Sequence, residues 1–243
     1  KSALTSRGIT NFYPAIGDHE IGDDYAGTWS GDHATVVPDF KTTFARNFTS
    51  TFTNTPNAGT AADPVTAYAV QQGNVLIVTL DEFTYDSGTN TVSKQISPAQ
   101  QSWLDNLLAT TTADHVIVQG HMPVDDTPTV PARNSSQLKY AGGTDSALWQ
   151  SLVAGGADIL LAGEVHDDSV RRNTGESLIQ VITGGIVGES ATTQYLVGKV
   201  DGSVITLEVK EIALTNIGAT TTAGGLWQTG SNRPYTDVAI TNP

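Results

Sequence analysis

The 243-residue chain contains no cysteine. Disulfides, thiolate metal sites and cysteine nucleophiles are therefore excluded, and any metal must be held by imidazole, carboxylate, amide or water. Such donors suit hard or borderline divalent ions. Basic residues are scarce: 12 Lys and Arg against 25 Asp and Glu give a formal charge of −13. A chain of this sign repels nucleic-acid backbones and anionic membranes, so no nucleic-acid binding is expected. No apolar run approaches the roughly 18 residues that a membrane span needs. Aromatic residues make up only 7%, yet 38% hydrophobic content suffices for one sizeable core.

Little lysine, no cysteine and abundant Thr, Gly, Ala and Asp suit a secreted bacterial protein, so an extracellular or periplasmic location is expected. Lys1 begins neither a signal peptide nor an initiator methionine, and the sequence reads as a mature or excised piece.

Along the chain, Phe40, Phe44 and Phe48 recur four apart after Pro38 and predict a helix with one aromatic face. Residues 54–64 read as loop. "VLIVTLD" (75–81) predicts a buried strand, and "YDSGTNT" a turn or short hairpin. "SPAQQSWLDNLL" carries Ser97 as N-cap, Pro98 at the first helical position and Gln100 at the capping-box position. Its Trp103, Leu104, Leu107 and Leu108 lie on one face. "HVIVQG" (115–120) predicts a second strand, a helix from about Ser146 closes at Gly155 and Gly156, and "ADILLAG" (157–163) predicts a third strand. Alternating strands and helices indicate an α/β layered fold whose ligands gather outside the carboxyl ends of the strands. From Ser169 the pattern turns to β: "SVRR", "SLIQVITGG", "TQYLVGKV" and "SVITLEVKEIAL" predict a run of antiparallel strands added to the sheet layer. One domain over 1–215 is expected, followed by a Gly/Thr/Asn-rich linker or edge extension over 216–243.

Three histidines each follow an apolar run and a glycine: His19 in "AIGDHE", His121 in "VIVQGHMP" and His166 in "ILLAGEVH". Each run is predicted to end in a strand, and glycine lets the backbone turn and approach a ligand closely. Singly, each would be read as a loop or core histidine; together they converge on one sheet edge.

With these motifs the chain resembles the calcineurin-like metallophosphoesterases, the group that includes purple acid phosphatases. Their series G-N-H-E/D, G-H-x-P and G-H-x-H stands here, in order, as Gly17-Asp18-His19-Glu20, Gly120-His121-Met122-Pro123 and Gly163-Glu164-Val165-His166. The resemblance runs from about residue 11 to about residue 210. It implies a layered αββα β-sandwich flanked by helices, with mixed sheets and a β-rich C-terminal part. It further implies Asp18, His121, Glu164 and His166 as metal ligands, with His19 contacting the phosphate and protonating the leaving oxygen. The implied cofactors are two divalent ions (Mn, Fe, Zn, Mg or Ca), and the implied substrate is a phosphomonoester or phosphodiester hydrolysed by metal-activated water.

Two departures from that pattern bear on the chemistry. Asp18 replaces an asparagine and Glu164 a histidine, so the implied site is harder and more negative. The family's first two motifs, D-x-H and G-D-x-x-D/Y, have no match before Gly17. The chain is therefore expected to carry about half of a site, completed by a missing N-terminal segment or a separate polypeptide. The alternative is a catalytically degenerate module with a structural or adhesive role in a large extracellular bacterial assembly, as a homo-oligomer or filament.

Other polar groups receive plainer readings. Asp23, Asp24 and Asp32 with Gly22, Gly27 and Gly31 do not fit an EF-hand loop and are expected to be a solvated acidic segment. His33 and His115 are expected at the surface. Asp167 and Asp168 are candidate acceptors for the ring of His166. Arg133, Lys139, Arg171 and Arg172 are among the few cations near the motif loops. Asn47 and Asn134 head glycosylation sequons.

Overall fold

A computed structural model describes residues 5–6, 8–21, 33–56, 60–61, 63–128, 131, 134–166, 168–183, 192–215, 226–233 and 240–241. The acidic glycine-rich segment with Asp23, Asp24 and Asp32 lies outside them, as do Arg133 and Asp167.

Among the described residues, twelve strands and three α-helices follow in the order α1 (His33–Asn47), β1 (Tyr68–Gln72), β2 (Val75–Thr79), β3 (Phe83–Asp86), β4 (Thr91–Lys94), α2 (Pro98–Thr110), β5 (His115–Gln119), α3 (Ala147–Ala154), β6 (Ile159–Ala162), β7 (Ser169–Arg172), β8 (Ile179–Ile182), β9 (Thr192–Asp201), β10 (Val204–Thr215), β11 (Leu226–Arg233) and β12 (Ile240–Thr241). A six-stranded sheet has the order β1-β2-β5-β6-β8-β7. Its four inner strands run parallel, and β1 and β7 close the two edges antiparallel. A second sheet centres on β10, which pairs with β9, β11 and β12, while β3 and β4 form the expected hairpin.

Strand alternation divides the core into two layers. On one face, Leu76, Val78, Val116, Val118 and Leu160 meet Phe44 of α1, Leu104 and Leu107 of α2, and Leu148, Trp149 and Leu152 of α3. On the other, Ile77, Ile117, Ile159 and Ile179 stand in register across four parallel strands. Ile117, Ile159 and Ile179 of this row pack with Val181 against Ile205 and Leu207 of the second sheet. Each fully buried side chain contributes about 1.5–3 kcal/mol relative to exposure. The result is a mixed α/β architecture with helices over one face of a mixed sheet and an antiparallel sheet over the other.

The helices follow their sequence signals. Ser97 Oγ accepts the Gln100 N–H and Pro98 occupies the first turn. Gln100 does not complete a capping box: its side chain accepts from Asp81 N at 2.9 Å and donates to Asp81 O at 2.7 Å, replacing sheet pairing where β2 ends. Ser146 caps α3 in the same way. The aromatic helix starts before Pro38, at His33, and the rings of Phe40, Phe44 and Phe48 touch in series.

Three expectations are corrected. The apolar residues before Gly17 form no strand; Gln119 Nε2 donates to Tyr13 O and Tyr68 Oη to Pro14 O, so side chains hold this segment to the sheet. The strands after Ser169 are not one antiparallel run: β8 joins the first sheet parallel to β6, whereas β9 and β10 form the second sheet. His115 is wholly buried, its ring between Asp158 Oδ2 at 3.3 Å and Gly202 O at 3.0 Å, where it ties the start of β5 to the β9–β10 turn. Its fixing partner lies far along the chain, so no local pattern announces it.

Candidate metal centre

Parallel strands align their carboxyl ends, and here the first residues beyond three adjacent strands carry the chemistry. Leu80, Asp81 and Glu82 follow β2, Gly120 and His121 follow β5, and Gly163 and Glu164 follow β6. Asp18 reaches the same edge on the segment anchored through Tyr13 and Pro14.

One ligand atom from each of Asp18, His121 and Glu164 lies within 4.8 Å of the other two. His121 Nε2 stands 3.1 Å from Asp18 Oδ1 and 2.8 Å from Glu164 Oε2. Both carboxylates are buried, whereas the His121 side chain keeps 23% of its surface open, so the cluster is reached from solvent through the imidazole. Asp18 Oδ1 also accepts the His19 N–H at 2.8 Å. Burial pushes the Asp18 carboxyl up, but the hydrogen bond and charge of His121 outweigh it and hold the group below its ordinary value. Burial likewise pushes the His121 ring down, and the bonds to Asp18 and Glu164 reverse this, raising it to about 10.

Two glycines make room for the ring. A Cβ on Gly163 would lie 3.2 Å from His121 Nδ1, and one on Gly17 would lie 3.3 Å from His121 Cε1 and 2.7 Å from Glu20 Oε2. Glu164 itself adopts φ +55°, with Val165 N donating to Gly163 O at 2.6 Å. A non-glycine residue in this left-handed turn costs on the order of 1–3 kcal/mol, and such strain gathers at functional sites. Val165 anchors the turn from below, packing with Ala162 and Ile182.

The donor set fits a divalent cation. Around an octahedral ion with bonds of about 2.1 Å, neighbouring donors stand about 3 Å apart. The His121 separations of 3.1 and 2.8 Å match that spacing. Two carboxylate oxygens and one imidazole nitrogen favour Mn, Mg, Ca or Fe over ions that prefer thiolate.

His166 and His19 are placed differently. His166, at φ +59°, is exposed and is not part of the triad, and His19 is exposed beside Asp18 in a short 3-10 turn. Asp168 is buried. Of the nearby cations, Lys139 pairs with Asp126, Arg171 Nε lies 3.3 Å from Asp125 Oδ2, and Arg172 is exposed. His33 Nδ1 lies 3.4 Å from Asn90 O, away from the triad.

Two buried charges escaped the sequence reading. Glu82 has its Oε2 accepting from His121 N at 2.5 Å and Met122 N at 2.8 Å, while its buried Oε1 has no partner. Burial pushes this carboxyl up to about 7 despite those two bonds. The available signal was its place beyond a parallel strand, next to the strand that Gly120 and His121 follow. Lys41, 1% exposed, lies 2.6 Å from Asp63 and 2.9 Å from Asp81 and donates to Phe83 O. Its signal was a position one turn from Val37 on the inward face of α1.

No protein-family model matches the chain, and no curated protein matches it. Among solved structures it is similar to PhoD, with a TM-score of 0.52 and 12% identity over 89% of this chain and 51% of that one. It also aligns with GAP50, the anchor in the inner membrane complex of Plasmodium, at TM-score 0.35 and 10% identity over 71% of this chain and 57% of that one. Alignment with Vps29 of Chaetomium thermophilum gives TM-score 0.31 and 11% identity over 75% and 62%. The chain thus spans about half the length of PhoD. Strand order, flanking helices and the PhoD likeness define a metallophosphoesterase-like fold. Among the described residues no helix is long and apolar enough to cross a membrane.

Proposed function

We propose that this chain contributes to metal-dependent hydrolysis of phosphate esters, monoesters or diesters, with a divalent ion held by Asp18, His121 and Glu164. The observation that carries the reading is the convergence of these three donors, from three separate segments, at the carboxyl edge of a metallophosphoesterase-like sheet. A bound divalent ion would supply Lewis acidity toward a phosphoryl oxygen and lower the pKa of a bound water.

The protein's own residues then have defined tasks. Asp18 is oriented by the His19 N–H, and Glu164 by its strained turn. The His121 ring is seated between Gly17 and Gly163, which fixes its Nε2 toward both carboxylates. His19, exposed next to Asp18, is proposed as the group that contacts the phosphate and protonates the leaving oxygen. His166 is proposed as a ligand of a second ion, whose remaining donors would come from a preceding segment or a separate chain. An extracellular or periplasmic setting belongs to the same proposal. Manganese titration of the chain, with hydrolysis of an aryl phosphate by wild type and His121→Ala, tests it. Metal-dependent turnover that is unchanged in His121→Ala would show the site to lie elsewhere.

A second reading is a module that keeps the fold without catalysis, as part of an extracellular assembly. It is favoured by the mutual satisfaction of the triad, because a protonated His121 between two carboxylates holds its geometry with no ion. A chain that takes up no manganese supports this reading over the first.

A further inference from the structure

We infer that Glu82 is a positioning residue for the metal-binding loop: its buried carboxylate sets the backbone of His121 and Met122, and through it the aim of the His121 ring. The inference rests on the metal-binding reading of Asp18, His121 and Glu164.

Glu82 is held as a fixed post. On one side, Asp81 has its backbone N–H and C=O both bound to the Gln100 side chain. Its carboxylate meets Lys41 at 2.9 Å and accepts the Thr66 and Phe83 N–H groups. On the other side, Phe83 begins β3, its carbonyl accepts from Lys41, and its ring lies 6.2 Å from the His121 ring. Neither neighbour leaves Glu82 freedom to shift.

From this post a single oxygen accepts two consecutive backbone N–H groups across the gap between β2 and β5. These groups lie beyond the end of β5, outside the sheet ladder, where the Glu82 carboxyl oxygen is the acceptor both of them meet. Gly120 completes the fit: a Cβ there would lie 2.4 Å from the Glu82 carboxylate, so only glycine allows the carboxylate this close. The other oxygen stays buried without a partner. Leaving a buried polar atom unpaired is costly, and such groups are retained where their placement serves a site.

Mn²⁺ binding by the full chain and amide hydrogen exchange at His121 and Met122, compared among wild type, E82Q, E82A and G120A, test the inference. The side-chain amide of the E82Q variant keeps an acceptor oxygen for both N–H groups, whereas G120A displaces the carboxylate without removing it. E82Q should bind within about threefold of wild type, and E82A and G120A should each weaken Mn²⁺ by roughly tenfold or more. Exchange should quicken at His121 and Met122 in E82A and G120A while β5 keeps its protection. If E82A does not fold, the contrast between E82Q and G120A decides. Affinities for E82A and G120A within about twofold of wild type overturn the inference. Absence of Mn²⁺ binding in the wild type overturns the metal reading instead. Exchange then judges Glu82 alone: protection lost in E82A and kept in E82Q supports its hold on the loop, and unchanged protection refutes it.

Discussion

His121 Nε2 lies 2.8 Å from Glu164 Oε2, and the two residues stand just beyond the carboxyl ends of neighbouring parallel strands, β5 and β6. Parallel pairing puts the ends level, and a glycine at each end lets the chain turn before the ligand.

The fit between the ring and Gly163 is tight enough to be tested. A Cβ at Gly163 would lie 3.2 Å from His121 Nδ1, so Gly163→Ala must push the ring by a few tenths of an ångström. The expected outcome is manganese binding weaker by about tenfold, from misplaced geometry rather than unfolding, with the melting transition retained. Isothermal titration beside a thermal melt checks both halves.

Lys41 is a buried cation between two carboxylates, and its removal leaves Asp63 and Asp81 without their counter-charge, with only backbone N–H groups among the described residues to offset them. Lys41→Met should therefore destabilise the fold by about 3–5 kcal/mol. Adding Asp81→Asn should restore part of the loss, because the two changes share one interaction. Urea denaturation of the single and double variants measures this; strict additivity would show that the charges do not act as a unit.

Alkaline pH should weaken the fold through two tyrosines. Burial raises Tyr68 and Tyr140 from 10.0 to about 12 each. Between those values the unfolded chain releases protons that the folded chain retains. Their stabilisation is thus present below about pH 10 and lost as pH rises through about 12. Tyr140→Phe removes the oxygen that accepts the Ile96 N–H, costing about 1–3 kcal/mol at neutral pH. The same variant should lose stability less steeply above pH 10 than wild type, as chemical denaturation at a series of pH values would show.

What could be read from the sequence was local. Ser97 and Pro98 start α2, Ser146 starts α3, and "VLIVT", "HVIVQ" and "ILLA" are inner parallel strands, each with its own cap or apolar run. Gly120 and Gly163, each directly after a strand, marked His121 and Glu164. Distant pairings left no such signal. Glu82 contacts a backbone 39 residues onward, and His115 reaches Gly202 across 87 residues, so neither spacing nor periodicity reveals them. The segment before Asp18 looked like a strand from its apolar residues, but its hydrogen bonds come from Gln119 and Tyr68 instead of a neighbouring strand. The parallel pairing of β8 with β6 was hidden for another reason: β7 intervenes in sequence but takes the outer edge of the sheet.

The most direct test is the manganese content of the full chain after equilibration with Mn²⁺ and removal of free ion, measured for wild type and for Asp18→Ala, His121→Ala and Glu164→Ala. The account predicts at least about one ion per wild-type chain and a marked loss in each variant, since each removes one of the three donors that converge within 4.8 Å. No bound manganese in the wild type, or uptake unchanged in all three variants, would contradict it.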